Sequence, residues 1–157
     1  MAVLGYAAAS GAVAAGLEAS RTWPPEAGRR AYEELRAGYR DGDRLFVNFG
    51  AAYGYEFYKS TLLGDVPGLR SHVASRMTAL ADQRRANLCR GLKLWGTEAR
   101  AGERVWFLSA HVPHVSRIYQ DVLRSLGRVD VVLARERQSL VRVDLDKSFA
   151  ELRCPRR

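Results

Sequence analysis

The 157 residues are enough for one domain of ordinary size built around one hydrophobic core. Hydrophobic residues make up 47% of the chain and charged residues 27%, and this balance excludes wholesale disorder despite a net charge of +8. A basic chain can bind nucleic acid, anionic lipid or an acidic partner through its charge. Only three of the 25 basic residues are Lys, and the arginines are spread along the chain. The pattern therefore favours a coding bias and a solvated surface over a nucleic-acid interface.

The apolar start of the chain is the first distinct segment. Residues 1–17 carry no charge and are mostly Ala, Gly, Val and Leu. The run is shorter than the ~20 residues of a spanning helix and lacks the basic start of a secretory signal. Three interpretations stay open: the end of a transmembrane helix, a weak signal-like segment, and an Ala-rich helix packed on the domain, which the run alone favours slightly. The segment ends at residue 22, because Trp23-Pro24-Pro25 breaks a helix there.

The next elements are a helix, a strand and a second helix. Residues 25–39 have the apolar spacing of a helix that begins near Pro25. The turn Asp41-Gly42-Asp43 leads into a short apolar strand over 45–49. A helix over 51–63 follows and closes in a loop that contains Gly and Pro.

The middle of the chain predicts more helix and a second strand. Residues 69–95 have helical spacing and predict one long helix or two shorter ones. The turn Ala101-Gly102-Glu103 precedes a strand over 105–108, and residues 109–112 are predicted to form the loop to the next helix. Cys89 lies far from Cys154 with no CxxC pattern, which disfavours a zinc site and leaves a single disulfide open.

The last elements are a helix and a strand pair. The helix begins at Pro113 and ends at Gly127. Strands over 129–134 and 140–145 predict an antiparallel hairpin at the sheet edge. The whole domain spans residues 23–150, and residues 151–157 form a basic tail.

A repeated unit sets the fold class. Gly42-Asp43-Arg44 and the apolar strand after it recur as Gly102-Glu103-Arg104 with another such strand. A turn, a strand and a helix used twice are typical of a layered α/β domain with a parallel sheet. We therefore predict an α/β fold, a three-layer Rossmann-like sandwich with a small mixed sheet, in the order helix-β-α-α-β-α-β-β.

Candidate site residues follow from this fold, because open α/β sheets bind ligands outside the carboxyl ends of their strands. The rule selects Asn48 and the segment from Ser109 through His111 to His114, which would be neighbours if the two strands are adjacent. Pro113 interrupts the H-x-x-H pair, and the glutamate of HExxH is missing. The pattern favours loop histidines over a metal site or a Ser-His pair. We predict no catalytic residue, no metal and no cofactor.

Glycines and aromatic residues follow the first strand. Gly50 and Gly54 resemble a phosphate-cradling turn only loosely, because neither GxGxxG nor GxxxxGK[ST] is met. Tyr53, Tyr55 and the two aromatic residues at 57 and 58 can stack on sugars or bases, although a core position explains part of the group equally well. The candidate binding residues are Asn48, Tyr53, Tyr55, Ser109, His111 and His114.

Two segments carry a family resemblance. Residues 41–53, with Phe57-Tyr58 after them, resemble the soluble C-terminal region of multi-spanning bacterial glycosyltransferases related to protein O-mannosyltransferases. Residues 102–112, then a helix, Gly127 and a closing strand pair, are similar to the end of that region, so the resemblance covers about residues 24–146. It implies an extracytoplasmic, membrane-associated domain that follows a last transmembrane helix, of which residues 1–17 would be the stub.

The resemblance also implies a role. The catalytic carboxylate of such enzymes lies in membrane helices and a first loop that this sequence does not contain, so no catalytic residue carries over. We expect a non-catalytic accessory domain of a membrane glycosyltransferase with a lipid-linked sugar donor. Its partners would be the membrane-embedded enzyme or the membrane surface, and a saccharide is a further candidate. The alternatives are a standalone α/β transferase or hydrolase, which would be cytoplasmic, and an Arg-rich nucleic-acid-binding module. A pocket with perturbed titrating groups would favour the enzyme. A binding affinity that falls steeply with salt would favour the nucleic-acid-binding module.

Overall fold

The structure is a computed structural model, and it describes residues 25–73, 89, 91–93, 96, 99–110, 119–135 and 137–154. Short 3₁₀ turns follow the first and the last strand, and residues 91–93 and 119–123 are also helical. The named elements are α1 (Pro25–Gly38), β1 (Arg44–Val47), α2 (Ala52–Thr61), β2 (Arg70–Val73), β3 (Arg104–Ala110), β4 (Gly127–Arg135) and β5 (Gln138–Leu145).

The five strands form one mixed sheet in the order β2-β1-β3-β5-β4. β1 pairs in parallel with β2 and β3, whereas β5 is antiparallel to both β3 and β4. Arg44 lies opposite Val105 and Val47 opposite Leu108, so the two repeated strands are direct neighbours. The condition set for the candidate site, that these two strands lie side by side, is therefore met, and the predicted hairpin is confirmed.

Apolar residues cover both faces of this sheet, because successive side chains of a strand point to opposite sides. On one face, Leu45 and Trp106 pack under Leu35 of α1. On the other, Phe46 and Phe107 stack with ring centroids 5.2 Å apart, beneath the helical residues 119–123. Two layers of helix therefore enclose the sheet, and the predicted α/β three-layer, Rossmann-like sandwich is confirmed.

The structure corrects the helix predicted over 69–95. Residues 70–73 are β2, a strand that pairs in parallel with β1. Its first three residues are exposed at the sheet edge, so the strand lacks the apolar alternation that would have signalled it. The pairing with β1 decides the conformation, as tertiary context often does for short strands. Residue 89 and residues 91–93 are helical, and the rest of that predicted helix lies outside the described residues.

The end of β3 and the start of β4 also differ from the prediction. Ser109 and Ala110 belong to β3 rather than to a loop, because they pair with Ser139 and Gln138 of β5. Gly127 begins β4 instead of only ending a helix, and a Cβ on it would overlap the backbone oxygen of Asp144. Pairing across the sheet lengthens each strand beyond its apolar stretch.

A disulfide joins Cys89 to Cys154, across a sequence separation of 65 residues. The residues between β5 and this bond are packed: Phe149 is fully buried, and Leu152 is 4% exposed. The packed part of the chain therefore reaches Cys154, and the disulfide that the sequence left open is present.

Among the described residues, no helix is both long and apolar enough to cross a membrane. The predicted N-terminal stub falls on residues 1–17, which lie outside the described part.

Candidate binding surface at the carboxyl edge of the sheet

The carboxyl edge of the sheet, where β1 ends at Val47 and β3 at Ala110, holds two of the predicted site residues, Asn48 and Ser109. Asn48 follows β1 directly, and its backbone N–H donates to the oxygen of Leu108 at 2.8 Å. Its side-chain Oδ1 accepts from the N–H of Gly50 at 2.7 Å and caps the 3₁₀ turn Phe49–Ala51. The Asn48 amide oxygen therefore shapes the turn that leads into α2.

Ser109 lies near the end of the neighbouring strand β3, not in the predicted loop, and is buried. Its hydroxyl is 2.7 Å from that of Ser139, which lies directly opposite it on β5. The two serines and Asn48 line a cavity of about 10 Å³ among apolar side chains. Among the described residues, this cavity has space for about one water molecule. His111 and His114 lie outside the described residues and stay predictions.

The two glycines after β1 are explained by close packing. A Cβ on Gly50 would overlap the backbone oxygen of Ala110 at the end of β3. A Cβ on Gly54 would come within 2.9 Å of the Tyr32 hydroxyl on α1. Both residues bring α2 close to its neighbours, which accounts for them without a phosphate.

The two predicted tyrosines have opposite environments on α2. Tyr55 is fully buried, and its hydroxyl has no hydrogen bond of good geometry among the described residues. Burial raises the pKa of the Tyr55 hydroxyl, and the nearby Ser71 side chain offsets part of this effect. Tyr53, in contrast, is 84% exposed, and Phe57 one turn later is 63% exposed. Residues four apart lie on one helix face, so Tyr53 and Phe57 form an exposed aromatic pair.

At the amino edge of the sheet, where β1 and β3 begin, both copies of the repeated motif form the same kind of turn. Arg40 to Asp43 and Arg100 to Glu103 form turns in which the fourth N–H donates to the first carbonyl, at 3.0 and 3.2 Å. Gly42 and Gly102 take φ values of 90° and 86°, which fit the third position of a type II turn. In both turns the acidic side chain also accepts from the first N–H.

The acid of each turn also binds the other copy of the motif. The buried carboxylate of Asp43 accepts from the indole N–H of Trp106 at 2.8 Å. Glu103 accepts from Arg44 Nε at 3.0 Å. The repeat therefore joins β1 to β3 in register. Sequence reasoning found the repeat but missed these roles, which the chemistry of an acid beside an arginine could have indicated.

Titrating groups elsewhere have structural explanations. A hydrogen bond from Arg104, at 2.9 Å, lowers the pKa of Asp144; burial opposes this effect, and a hydrogen bond from Arg128, at 2.8 Å, adds to the lowering. Hydrogen bonds from Ser148 lower the pKa of Glu151, which lines an open groove of about 530 Å³. These bonds form a capping box. Within the described residues, no group of three His, Cys, Asp or Glu could hold a metal.

Comparisons with known proteins add only a distant likeness. No family model matches the chain, and no curated protein matches its sequence with significance. Among solved structures, it is similar to the 16S rRNA N2 G1207 methyltransferase RsmC of T. thermophilus, in complex with AdoMet and guanosine, with a TM-score of 0.44 and 16% sequence identity. The match covers 79% of this chain and 41% of that one, so the chain spans less than half of that protein.

Proposed function

We propose that the chain is the non-catalytic domain of a membrane glycosyltransferase that uses a lipid-linked sugar donor, and that it lies on the extracytoplasmic side. The family comes from the resemblance over residues 24–146. The described fold agrees with the α/β architecture that the resemblance requires over that range.

One observation supports the extracytoplasmic location. Cys89 and Cys154 are the only cysteines of the chain, and the structure joins them. Disulfides persist in secreted and extracytoplasmic proteins and are rare where thiols are kept reduced. A paired Cys89 and Cys154 therefore supports a domain exposed to an oxidising environment.

The carboxyl edge supports an accessory role rather than a catalytic one. Asn48 is used in capping, Ser109 is paired with Ser139, and the cavity beside them holds at most one water. Tyr53, an exposed residue of the predicted set, is aromatic and can contact a partner or a sugar. In this proposal, sugar transfer belongs to the membrane-embedded part of the enzyme.

The test has two measurements. Reading the genomic DNA upstream of the Met1 codon should give an in-frame continuation that encodes many apolar spans, and an in-frame stop codon directly upstream would contradict the proposal. Alkylation of native cells followed by a gel-shift assay should find Cys89 and Cys154 protected until a reductant is added. Free thiols in the native protein would contradict the extracytoplasmic placement.

A further inference from the structure

α1 and α2 run side by side in the same direction. Tyr39, just after α1, accepts from the N–H of Arg70 at 2.9 Å, so α1 ends at the amino edge, where β2 begins. α2 starts just after β1 and runs back toward the same edge, where Asp65 pairs with Arg36 of α1. Both helices therefore begin at the carboxyl edge.

Their contact sets how the two helices are aligned along their axes. The rings of Tyr32 and Tyr58 lie 4.4 Å apart between centroids. Tyr32 is about 10 Å along α1 from Pro25, and Tyr58 about 9 Å along α2 from Ala52, at 1.5 Å per residue. Pro25 and Ala52 are thus at nearly the same height, which places Tyr53 level with the point where the preceding chain enters α1.

In sequence, the chain before α1 contains the apolar run of residues 1–17, then a short segment over residues 18–24 that carries Glu18, Arg21 and Trp23. An exposed aromatic pair level with the start of a helix that follows such an apolar run in sequence is typical of interfacial aromatic anchors at a bilayer surface. We propose that Tyr53 and Phe57 form a membrane-contact site that enters the headgroup region of a lipid bilayer. This inference rests on the membrane setting of the proposed function and adds the surface that faces the lipid.

The chemistry of the pair and of the chain supports this occupant. Phe57 meets Tyr58 edge to face at 5.0 Å, so its ring is held in place while 63% of its surface stays exposed. A tyrosine has an apolar ring and a polar hydroxyl, which suits the boundary between acyl chains and water. The net charge of +8 adds attraction to anionic headgroups.

The experiment uses the full 157-residue chain and vesicles of phosphatidylcholine with phosphatidylglycerol. The variant Tyr53→Ser/Phe57→Ser is compared with wild type and with Val131→Ser, which alters an apolar residue 45% exposed on β4. Residues 1–17 are present in all three proteins, so any difference isolates the altered side chains. In flotation, the double variant should lose at least about tenfold in partition coefficient, and Val131→Ser less than about twofold.

Two tryptophan variants measure which of the two positions enters the lipid bilayer. Phe57→Trp should gain fluorescence that brominated lipids quench, and Val131→Trp should gain fluorescence that they do not quench. Equal partitioning of the double variant and wild type, or no binding of wild type, would overturn the inference. A dimer-to-monomer shift in sedimentation with unchanged vesicle binding would instead identify a contact between two copies, which also overturns it. The upstream reading frame and the state of the two thiols test the proposed function and do not depend on vesicle binding. Failure of the proposed function can therefore be distinguished from failure of the membrane-contact site.

Discussion

Asp43 is a buried carboxylate held by hydrogen bonds from two segments. It is 5% exposed, and its carboxylate accepts from Trp106 Nε1 at 2.8 Å and from the Arg40 N–H at 3.0 Å. Asp43→Ala would leave the buried indole N–H without its acceptor. We expect a loss of about 2–4 kcal/mol in the free energy of unfolding, measured by urea denaturation.

The matched control for this prediction is Asp65→Ala. Asp65 pairs with Arg36 at the surface, where both side chains are at least half exposed. Exposed ion pairs contribute about 0–1 kcal/mol, so the control should lose less than that. Equal losses in the two variants would show that the buried hydrogen bonds of Asp43 contribute no more than a surface pair.

Asp144 should give the domain part of its sensitivity to acid. Hydrogen bonds from Arg104 and then Arg128 lower its pKa in the folded state. A lowered pKa adds stability above the unfolded value, and this stability is lost as pH falls through the folded value, below about pH 4. Because Asp144 is partly exposed, the effect should stay under about 1 kcal/mol. Asp144→Asn should therefore flatten the decline in unfolding free energy below pH 4, and an unchanged decline in that variant would contradict this role of Asp144.

The disulfide acts on whole elements, because it joins the helical residue Cys89 to the segment after β5. Its loop of 65 residues restricts the unfolded chain, and the chain-entropy model gives about 4 kcal/mol of stabilisation as an upper value. We expect reduction to lower the unfolding free energy by about 2–4 kcal/mol in urea denaturation. The Cys89→Ser/Cys154→Ser variant should match the reduced protein and stay insensitive to reductant; a response of that variant would assign the effect to something other than the disulfide.

The predicted elements succeed where a local signal sets the structure. β1, β3 and the β4–β5 hairpin follow turn residues and apolar stretches that the sequence displays, whereas the pairing in the sheet decides that β1 and β3 are neighbours. The prediction misses β2, because Arg70 and His72 lie on an exposed edge strand and give no apolar pattern. Ser109 was placed in a loop because its strand extends only through pairing with β5.

At the scale of the molecule, one sheet carries two cores. Leu35 is fully buried in the core on the α1 face, and Leu123 in the core on the other face. Because β1 and β3 contribute to both cores, neither core should unfold alone. Leu35→Ala and Leu123→Ala should each cost about 2–5 kcal/mol, with coincident near-UV and far-UV circular dichroism transitions. Separate transitions in either variant would contradict a single cooperative unit.

The sequence by itself determined the fold class and the repeated turns. Turn chemistry, strand burial and the geometry of parallel strands are local or periodic properties that a linear pattern records. Only the tertiary structure decided that Cys89 meets Cys154, and that Tyr55 is buried while Tyr53 is exposed. These outcomes depend on how α2 rotates against α1 and on where the chain returns after β5. Packing between distant segments sets both, and no spacing in the sequence records it.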